Sequence, residues 1–510
     1  MKENLIQIFE KTVNDYPSNI AAIDPERKLN YQELKDLAVR MGKNIRKKAC
    51  LDKEETGFPV AIFTEKNINL YGAVLGTMYA GGFYVYINPE QTVSRINKII
   101  EVLDPRIIIY SEDLKEKFDE TGYEGASVSM EEIASDLCSL EDDMCLSTYC
   151  VNRENPIYGI FTSGSTGTPK CVLVSQGAVI DFINHFIKAF AFDPSDVIAN
   201  QAPFDFDVSI KDIFTALTTG AALLLIPRDY FTQPPRLVDY ICDNHATTLT
   251  WAVSALCIIS GMKGLDYRLP TDLKRVLFSG EVMPTKQLMI WQQALPSVTY
   301  VNLYGPSEIT CNCTYYIIDH KVEAGEKLPL GKVFDGRKVV LLDEKGQEIT
   351  EKNVSGEIAV SGESLAIGYY HNEEETKKHF QERNVDGSSI RTYLTGDVAF
   401  IADDGEMYFA GRKDFQIKHM GHRIELEEIE RTIGTYDGVE RCCARYDEEK
   451  SRIYLYYTGE RDGRELHVEV KKRLPLYMVP NKFIHVTDFI LNKNGKIDRK
   501  LLETLPVVSK

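Results

Sequence analysis

The sequence lacks several features that would assign it to familiar classes of protein. No apolar run is long enough to cross a bilayer, and the first residues contain no apolar segment of the kind that a signal peptide needs. The formal net charge is -17, so the chain has no excess of positive charge for contacts with nucleic-acid phosphates. It also has no internal repeat, no low-complexity tract and no Gly/Ser-rich linker. These absences predict a cytoplasmic protein with no membrane span and no nucleic-acid partner.

The eleven cysteines lack the spacing of a structural metal site or of a disulfide framework. Cys311 and Cys313 are separated by one residue and Cys442 is next to Cys443, but neither pair has zinc-ligand spacing or a second pair to complete the site. An odd number of cysteines scattered through 510 residues is typical of reduced thiols in the cytoplasm. We therefore expect neither a disulfide framework nor a zinc site.

What the chain does contain is an alternation of apolar and amphipathic segments. RIIIY (106–110), ALLLIP (222–227) and RVLFSG (275–280) are short apolar runs that end at Gly, Pro or polar residues, which is typical of buried parallel strands. Between them lie helical stretches such as PPRLVDYICDNH (234–245), which begins with a proline pair. This alternation predicts an α/β fold with parallel sheets, and the length predicts two or more domains.

The pattern changes after Lys338. KVVLLDEKGQEI and VSGEIAVSG are typical of hairpin strands around polar turns. After GRKD (411–414) come a charged helical stretch, RIELEEIERTIG, and a strand-like run, RIYLYYTG, so the end of the chain is predicted to be a small α+β domain. We predict an N-terminal core at 1–412 and a C-terminal domain at 413–510, joined by a very short hinge.

The loop FTSGSTGTPK (161–170) offers backbone N–H groups, Ser and Thr hydroxyls and a terminal lysine to an anion such as a triphosphate. It does not fit the P-loop pattern, because Gly164 and Gly167 are too close together and Cys171 stands at the position of the magnesium-binding hydroxyl. The loop joins two strand-like runs, YGIF and CVLVSQ, and a loop so placed can close over a phosphate chain. From composition alone, a flexible surface loop remains the alternative.

The arrangement of this loop resembles the signature of the adenylate-forming (ANL) superfamily of acyl-CoA synthetases, luciferases and adenylation domains of peptide synthetases. Segments along nearly the whole chain resemble its other motifs in the same order: YAGGFYVYINP before the loop, then NQAPFDFDVSIKDIF, NLYGPSE, SGEIAVSG, YLTGD, GRKDFQIKHMGHRIELEEIE, LPLYMVP and NGKIDRK. The resemblance is strongest to amino-acid-activating members, particularly the stand-alone D-alanine–carrier protein ligases. It implies an acyl-CoA synthetase-like fold, with a large N-terminal α/β domain of parallel-type sheets flanked by helices and a small, mobile α+β C-terminal lid.

The resemblance also implies a reaction. An amino-acid carboxylate would attack the α-phosphate of ATP, with Mg2+ as cofactor, to form an aminoacyl adenylate and pyrophosphate. A phosphopantetheine thiol would then take the acyl group and release AMP. The sequence has no G-G-x-S carrier motif, so the expected partner is a separate carrier protein, and we expect a monomer. Two alternatives are a ligase that uses free coenzyme A and a non-catalytic nucleotide-binding relic.

The resemblance assigns roles to residues in each motif. The residues that it implies bind ATP are Thr162, Ser163, Gly164, Ser165, Thr166, Gly167, Lys170, Asn302, Tyr304, Gly305, Ser307, Asp397 and Arg412. Glu308 is expected to hold Mg2+, since magnesium prefers a few carboxylates together with phosphate oxygens. Lys496 is expected to act in adenylation and Lys418 in the thioester-forming step, with Asp414 at the hinge about which the lid rotates.

The segment NQAPFDFDVSIKDIF contains the expected amine-binding group. Its period-2 alternation predicts a strand with Asp205 and Asp207 on one side, and the resemblance aligns Asp207 with the aspartate that binds the substrate amine. A buried carboxylate needs a partner, which the substrate ammonium would supply. The other residues expected to line the amino-acid pocket are Val208, Lys211, Leu277, Ser279, Leu303, Cys311 and Asn312.

Two of these residues depart from the pattern of the D-alanine ligases, which have an apolar residue in place of Lys211 and a small thiol in place of Ser279. A buried lysine that faces an alanine methyl group would be costly. Lys211 is therefore expected to pair with Asp205 or Asp212, or to meet an acidic or polar group of the substrate. The predicted substrate is D-alanine or another small or polar amino acid.

Overall fold

The computed structural model describes residues 3–52, 54–135, 151–163, 168–385, 388–448, 450–491 and 497–505. The chain divides into two compact units. The first unit is made of Met1–Pro89, Leu103–Ile160 and Cys171–Lys413. The second unit is made of Glu90–Val102, Phe161–Lys170 and Asp414–Lys510. The domain boundary at 412/413 and the mobility of the C-terminal part stay predictions.

The α-helices begin at local sequence signals. At the first helix, the Asn4 side chain accepts a hydrogen bond from the Gln7 N–H (2.9 Å) and the Gln7 side chain accepts one from the Asn4 N–H (3.0 Å), which is a capping box. No helix in the described part of the chain is long and apolar enough to cross a membrane. In chain order the helices are α1 (Leu5–Asp15), α2 (Tyr31–Lys48), α3 (Ile68–Ala80), α4 (Val93–Leu103), α5 (Lys115–Asp119), α6 (Met130–Ser135), α7 (Gln176–Phe190), α8 (Val208–Thr219), α9 (Pro234–Asp243), α10 (Val253–Gly261), α11 (Gly264–Tyr267), α12 (Thr285–Ala294), α13 (Glu373–His379), α14 (Leu426–Ile433) and α15 (Gly463–Val470).

The strands confirm the apolar runs that the sequence predicts at 106–110, 222–227 and 275–280, which form β5, β10 and β12 below, and α9 begins at the predicted proline pair. In chain order the strands are β1 (Ile20–Ile23), β2 (Lys28–Asn30), β3 (Pro59–Phe63), β4 (Phe83–Tyr86), β5 (Ile107–Tyr110), β6 (Ser127–Ser129), β7 (Pro156–Thr162), β8 (Lys170–Ser175), β9 (Val197–Asn200), β10 (Ala222–Leu225), β11 (Thr248–Ala252), β12 (Arg275–Ser279), β13 (Thr299–Tyr304), β14 (Thr314–Ile318), β15 (Lys332–Val333), β16 (Arg337–Leu342), β17 (Gly356–Gly362), β18 (Gly368–Tyr369), β19 (Phe380–Val385), β20 (Ser388–Ile401), β21 (Met407–Arg412), β22 (Gln416–His419), β23 (His422–Glu425), β24 (Arg441–Asp447), β25 (Arg452–Thr458) and β26 (Lys482–His485).

Most of these strands lie in three sheets. The nine-stranded sheet has the order β15-β14-β13-β12-β11-β9-β10-β1-β2, and the seven-stranded sheet has the order β18-β8-β7-β4-β3-β5-β6. A third sheet has the order β16-β17-β20-β19, with β21 paired to β20. In the nine-stranded sheet all neighbours from β13 to β1 pair in parallel, whereas β14, β15 and β2 pair antiparallel. The predicted α/β fold with parallel sheets is confirmed.

Helix α8 of the first unit carries several residues of the candidate site. Its apolar side chains Ile210, Ile213, Phe214 and Leu217 recur at helical spacing and are buried. The helix ends at Gly220, whose φ of 84° lies in the left-handed region that favours glycine. Burial of this apolar face fixes the orientation of α8 and therefore the direction of the polar side chains at its N-terminal end.

Helix α2 packs closely against α3 and is anchored to α8. A Cβ atom on Gly42 would lie 2.8 Å from the carbonyl oxygen of Gly76, so the two helices approach this closely because the residue is glycine. The hydroxyl of Tyr31, the first residue of α2, lies 2.6 Å from the carbonyl oxygen of Ala216 and 2.8 Å from that of Ala221. These contacts hold α8 against the N-terminal helices.

The C-terminal residues of the second unit form the mixture of strands and helices that the sequence predicts. β22 and β23 form a two-stranded ribbon, and β24, β25 and β26 form a three-stranded sheet against which α14 packs. The helix predicted to begin near 423 begins at Leu426, because Ile424 pairs with Ile417 in the ribbon and is buried there. Within this unit, Arg95 on α4 and Glu428 on α14 form a buried ion pair (Nη1 to Oε1, 2.8 Å).

Candidate active site

The candidate site of the first unit lies at the edge of the nine-stranded sheet where its parallel strands end. The last residues of β9, β11, β12 and β13 are Asn200, Ala252, Ser279 and Tyr304. Because the carboxyl ends of parallel strands meet at one edge, side chains far apart in sequence come together there. The predicted pocket residues Leu277 on β12 and Leu303 on β13 are buried just before these ends, together with Val208 on the neighbouring α8.

The prediction of a strand through Asp205 and Asp207 is wrong. Residues 201–207 form turns, with the Phe206 N–H bonded to the Pro203 carbonyl (3.1 Å) and the Ile210 N–H to the Asp207 carbonyl (3.0 Å). Proline removes a backbone donor and aspartate favours turns, and these preferences outweigh the alternating Phe-Asp-Phe-Asp pattern. As a consequence Asp207 is the N-cap residue of α8 rather than part of a strand.

Asp207 is bonded by two residues from the loop after β13, one at its carboxylate and one at its backbone. The Ser307 hydroxyl donates a hydrogen bond to Oδ2 of Asp207 (2.6 Å), and the Cys311 thiol donates one to the Asp207 carbonyl oxygen (3.2 Å). Burial raises the pKa of the nearby Tyr158, and the negative charge of Asp207 raises it further. Ser307, which the sequence assigned to ATP, thus contacts the residue assigned to the substrate amine.

Lys211 is completely buried, one helical turn beyond Asp207. Its ammonium donates hydrogen bonds to Oδ1 of Asn312 (3.0 Å) and to the hydroxyl of Ser279 (3.3 Å). Neither predicted acidic partner, Asp205 or Asp212, is within ion-pair distance in the described part of the chain. The fold therefore gives this cation neutral acceptors, and the predicted contact with a polar or acidic substrate group stays a prediction.

A second polar group surrounds Asp397, which is 2% exposed. The hydroxyl of Tyr304 donates to Oδ2 of Asp397 (2.6 Å), and the guanidinium of Arg412 bonds Oδ1 across the β20–β21 pair. Burial raises the pKa of Tyr304, and Asp397 adds to that shift. Asn302 lies two residues before Tyr304 on β13, where its amide donates to the Pro329 carbonyl (2.9 Å). The structure thus brings four of the predicted nucleotide residues together.

The segment between Tyr304 and Cys313 has a constrained backbone. A Cβ atom on Gly305 would lie 2.6 Å from both the Asn312 Cα and the Cys311 carbonyl oxygen, so only glycine fits. Thr310 and Cys311 have positive φ values of 54° and 83°, which are uncommon for residues with a side chain. The Thr310 hydroxyl holds this turn by donating to the Ser364 carbonyl (2.7 Å). Such constrained turns are frequent at functional sites.

Glu308, the predicted magnesium ligand, is buried in the same segment. Its Oε1 accepts a hydrogen bond from the Tyr369 hydroxyl (2.7 Å), and its carbonyl oxygen accepts one from the Ala366 N–H (2.8 Å). The described residues contain no cluster of three or more His, Cys, Asp and Glu side chains suited to a metal. A magnesium ion here would thus depend on phosphate oxygens for most of its ligands, as is usual for this ion.

Part of the predicted phosphate loop and one predicted lysine cannot be described. Gly164, Ser165, Thr166, Gly167 and Lys496 lie outside the described residues.

The described residues of the predicted phosphate loop belong to the second unit, as do Lys418 and Asp414. The Thr162 hydroxyl donates to the Lys170 carbonyl (3.4 Å), and the Ser163 hydroxyl donates to the Arg423 carbonyl (2.8 Å). Lys418 lies on β22 opposite Arg423, and the carboxylate of Asp414 accepts a bond from the Gln416 N–H (3.2 Å).

Two polar residues of the first unit that contact the candidate site or the end of β9 were not predicted from the sequence. Tyr369, which bonds Glu308, had no sequence signal. Lys66 lies three residues after β3, and a lysine shortly after a buried strand was the available signal. Its ammonium donates to the carbonyl oxygens of Asn200 (3.1 Å) and Gln201 (2.8 Å). Burial lowers the pKa of Lys66 to about 7.

Comparison with known proteins identifies relatives of the chain. The family model described as AMP-binding enzyme matches residues 9–370. A D-alanine–D-alanyl carrier protein ligase from Listeria monocytogenes is 31% identical over 494 residues, which cover 94% of this chain and 94% of that protein. Zwittermicin A synthase from Bacillus cereus is 29% identical over 513 residues, which cover 98% of this chain and 94% of that protein.

A solved structure supports the same fold. A nonribosomal peptide synthetase protein containing adenylation and PCP domains, bound to a vinylsulfonamide inhibitor, matches with a TM-score of 0.83 and 23% identity. The match covers 98% of this chain and 84% of that one. The predicted fold is therefore confirmed.

Proposed function

This chain belongs to the AMP-binding enzyme family, and from that premise we propose that it activates an amino acid as an aminoacyl adenylate and passes it to the phosphopantetheine thiol of a carrier protein. Family membership makes the chain an adenylate-forming enzyme and an AMP-forming ligase. The names of its relatives, which include a carrier protein ligase and a peptide synthetase protein with a PCP domain, favour an amino acid as acyl donor and a carrier protein as acceptor.

One structural observation supports this proposal most directly. The short segment 304–308 contacts two separate polar groups, since Tyr304 bonds Asp397 and Ser307 bonds Asp207. An ammonium held at Asp207 and a nucleotide held at Asp397 would lie on either side of this one segment. Such an arrangement suits a reaction that joins an amino-acid carboxylate to the α-phosphate of ATP.

In the proposed first step, a carboxylate oxygen of the amino acid attacks the α-phosphorus of ATP. The bond from that phosphorus to the oxygen bridging to the β-phosphate breaks, and pyrophosphate leaves. Asp207 would hold the substrate ammonium, and Asp397, which pairs with Arg412, would accept hydrogen bonds from ribose hydroxyls. Lys496 would stabilise the negative charge that develops on the α-phosphate.

In the proposed second step, the phosphopantetheine sulfur attacks the acyl carbon, the bond from that carbon to the AMP oxygen breaks, and the thiol proton passes to solvent. Rotation about Asp414 would exchange Lys496 for Lys418 between the two steps. Glu308 would hold Mg2+, which supplies neutralisation of the pyrophosphate charge when it is bound. A buried carboxylate within the segment 304–308, whose residues bond Asp207 and Asp397, fits this role.

The proposal is tested by amino-acid-dependent exchange of labelled pyrophosphate into ATP, scanned over both enantiomers of small, polar and acidic amino acids. One amino acid is expected to drive exchange well above background. Asp207→Ala removes the partner of the ammonium and is expected to raise the Michaelis constant for that amino acid about 30-fold or more. Asp205→Asn, two residues earlier, is the matched control and should leave that constant nearly unchanged.

Two results would contradict the proposal. Absence of exchange with every amino acid, while Mg-ATP still binds, would exclude amino-acid adenylation. Transfer of the activated acyl group to free coenzyme A but not to a phosphopantetheinylated carrier protein would exclude the proposed acceptor.

A further inference from the structure

The environment of Lys211 is unusual for a buried cation. The residue is completely buried, and its ammonium hydrogen-bonds the neutral oxygens of Ser279 and Asn312. Burial raises the pKa of the Cys311 thiol, and the nearby charge of Lys211 opposes that shift. No carboxylate lies within 4 Å of this ammonium among the residues that the structure describes. A buried charge is costly unless an opposite charge compensates it, so this site is incomplete as a purely internal arrangement.

The nearest source of internal compensation is weak. Asp212 interacts electrostatically with Lys211, but burial raises the pKa of Asp212 to about 7, so the carboxyl is only partly ionised near neutral pH. Its Oδ2 accepts a hydrogen bond from the Asn200 amide (2.9 Å), and it also interacts with Lys66. One partly ionised carboxyl thus interacts with both lysines.

The position of Lys211 on α8 adds to this cost. The residue lies in the first turn of the helix, where the partial positive charge of the helix N-terminus disfavours cations and favours anions. An anion that reached the ammonium would therefore be stabilised both by Lys211 and by the helix end.

An anion bound by Lys211 would lie in the proposed amino-acid pocket. Asp207 and Lys211 are four residues apart, so they lie on the same side of α8 and are separated by about 6 Å along its axis. Cys311 is close to both residues, since its thiol donates to the Asp207 carbonyl and interacts electrostatically with Lys211. A small amino acid whose ammonium is held at Asp207 would extend its side chain toward Lys211.

We propose that Lys211, together with Ser279 and Asn312, binds the side-chain carboxylate of an acidic amino-acid substrate of about the size of aspartate. The two neutral side chains orient the ammonium and contribute further hydrogen-bonding capacity. This inference rests on the proposed function, because it assigns the side-chain subsite of the same amino acid that Asp207 holds by its ammonium.

The experiment compares pyrophosphate exchange driven by aspartate and by asparagine, in both enantiomers, because the two side chains have the same size and differ in charge. Unaltered protein is expected to prefer the acid by about 30-fold or more in kcat/KM. In Lys211→Met, whose side chain fills a similar volume without a charge, that preference is expected to fall to within about threefold. We also expect this variant to fold, because it removes a buried charge and keeps a similar side-chain volume. Thermal unfolding in the presence of Mg-ATP checks this expectation.

Lys66→Met is the matched control. Lys66 is partly buried and also interacts with Asp212, but its ammonium donates to the carbonyl oxygens of Asn200 and Gln201. This variant is expected to keep the preference for the acid.

The outcomes separate failure of this inference from failure of the proposed function. Exchange with neutral amino acids but not with acidic ones would overturn the inference and leave the proposed function in place. An equal loss for the acid and the amide in Lys211→Met would also overturn it, because Lys211 would then be structural. Absence of exchange with every amino acid would overturn the proposed function, and the inference with it.

Discussion

At the scale of single residues, the candidate site contains a buried charge at Asp397 that has two protein partners. Asp397 is 2% exposed, and each of its oxygens has its own partner, Arg412 for one and Tyr304 for the other. A carboxylate removed from water in this way is tolerated because a cation and a hydroxyl replace its hydration. Loss of either partner should therefore reduce stability as well as any affinity for a nucleotide.

Arg412→Ala is expected to lower the free energy of unfolding by about 3–5 kcal/mol, because it leaves the Asp397 charge buried without its cation. Tyr304→Phe removes one hydrogen bond to that charge and should cost about 1.5–3 kcal/mol. Urea unfolding measures both. Lys377→Ala removes an exposed ion pair with Glu373 and is the control, with an expected change below about 0.5 kcal/mol. Similar losses in Arg412→Ala and Lys377→Ala would contradict the assignment of Arg412 to a buried pair.

Much of the candidate site could be predicted at this scale, because the residues stand in contiguous motifs. Tyr304, Asp397 and Arg412 come from three separate motifs, and the structure brings them into contact. The bond from Ser307 to Asp207 could not be predicted, since the two residues are 100 positions apart and only the strand order brings them together. The hydrogen bonds from Lys211 to Ser279 and Asn312 could not be predicted either, since these residues are 68 and 101 positions away.

At the scale of secondary-structure elements, the turn between β13 and β14 is the most constrained part of the site. It has a glycine with no space for a side chain, a 3₁₀ turn at Ser307–Ile309 and two residues with positive φ. Each of these positions restricts the backbone, so Ser307, Glu308 and Cys311 have fixed directions. Catalytic and binding groups work best when they are held in this way.

Gly305→Ala is expected to destabilise the protein by about 1–3 kcal/mol, since the new methyl group overlaps the backbone of residues 311–313. It should also impair pyrophosphate exchange, because the overlap displaces Ser307 and Cys311. The control is Gly261→Ala near the end of α10, where a Cβ atom meets nothing within 4 Å and the effect should be neutral or slightly stabilising. If both substitutions change the free energy of unfolding equally, the overlap at Gly305 is relieved without cost and the prediction is wrong.

The elements also show where sequence patterns mislead. Alternating Phe and Asp at 204–207 indicates a strand by period alone, but Pro203 and the two aspartates favour a turn, and the helix that follows starts at Val208. The buried strands β5, β10 and β12 were predictable because continuous apolar runs have few other outcomes in an α/β chain. The buried strands could thus be predicted from their apolar composition. The short turns that orient the site residues could not be predicted from periodicity, because they depend on the turn preferences of single Pro and Asp residues.

At the scale of the whole molecule, buried ionisable groups link stability to pH. Burial raises the pKa of Asp205 to about 7, and in the described part of the chain its Oδ1 is buried without a hydrogen-bond partner. A carboxyl with a raised pKa in the folded state favours folding below its unfolded pKa of about 3.9. This contribution is lost as the pH rises through about 7, because the unfolded chain then ionises more readily.

Asp205→Asn removes this ionisation. The variant is expected to lose less stability than the unaltered protein between about pH 4 and pH 7 and to be the more stable of the two above pH 7. Urea midpoints measured across this range give the comparison, and Asp437→Asn, at an exposed position, is the control. Parallel pH profiles for Asp205→Asn and the unaltered protein would contradict the burial of an ionisable Asp205.

The position of β1 in the nine-stranded sheet has a consequence for synthesis. β1 pairs with β2, which follows it closely, and with β10, where Ala22 lies opposite Leu223, so this second partner leaves the ribosome about 200 residues later. At elongation rates of about 5–20 residues per second, β1 waits on the order of 10–40 s for β10. During that interval the apolar residues Leu5, Ile6 and Phe9 of the nascent chain have no completed sheet to cover them. The segment from α1 to β1 is therefore exposed for a long interval before its sheet is complete.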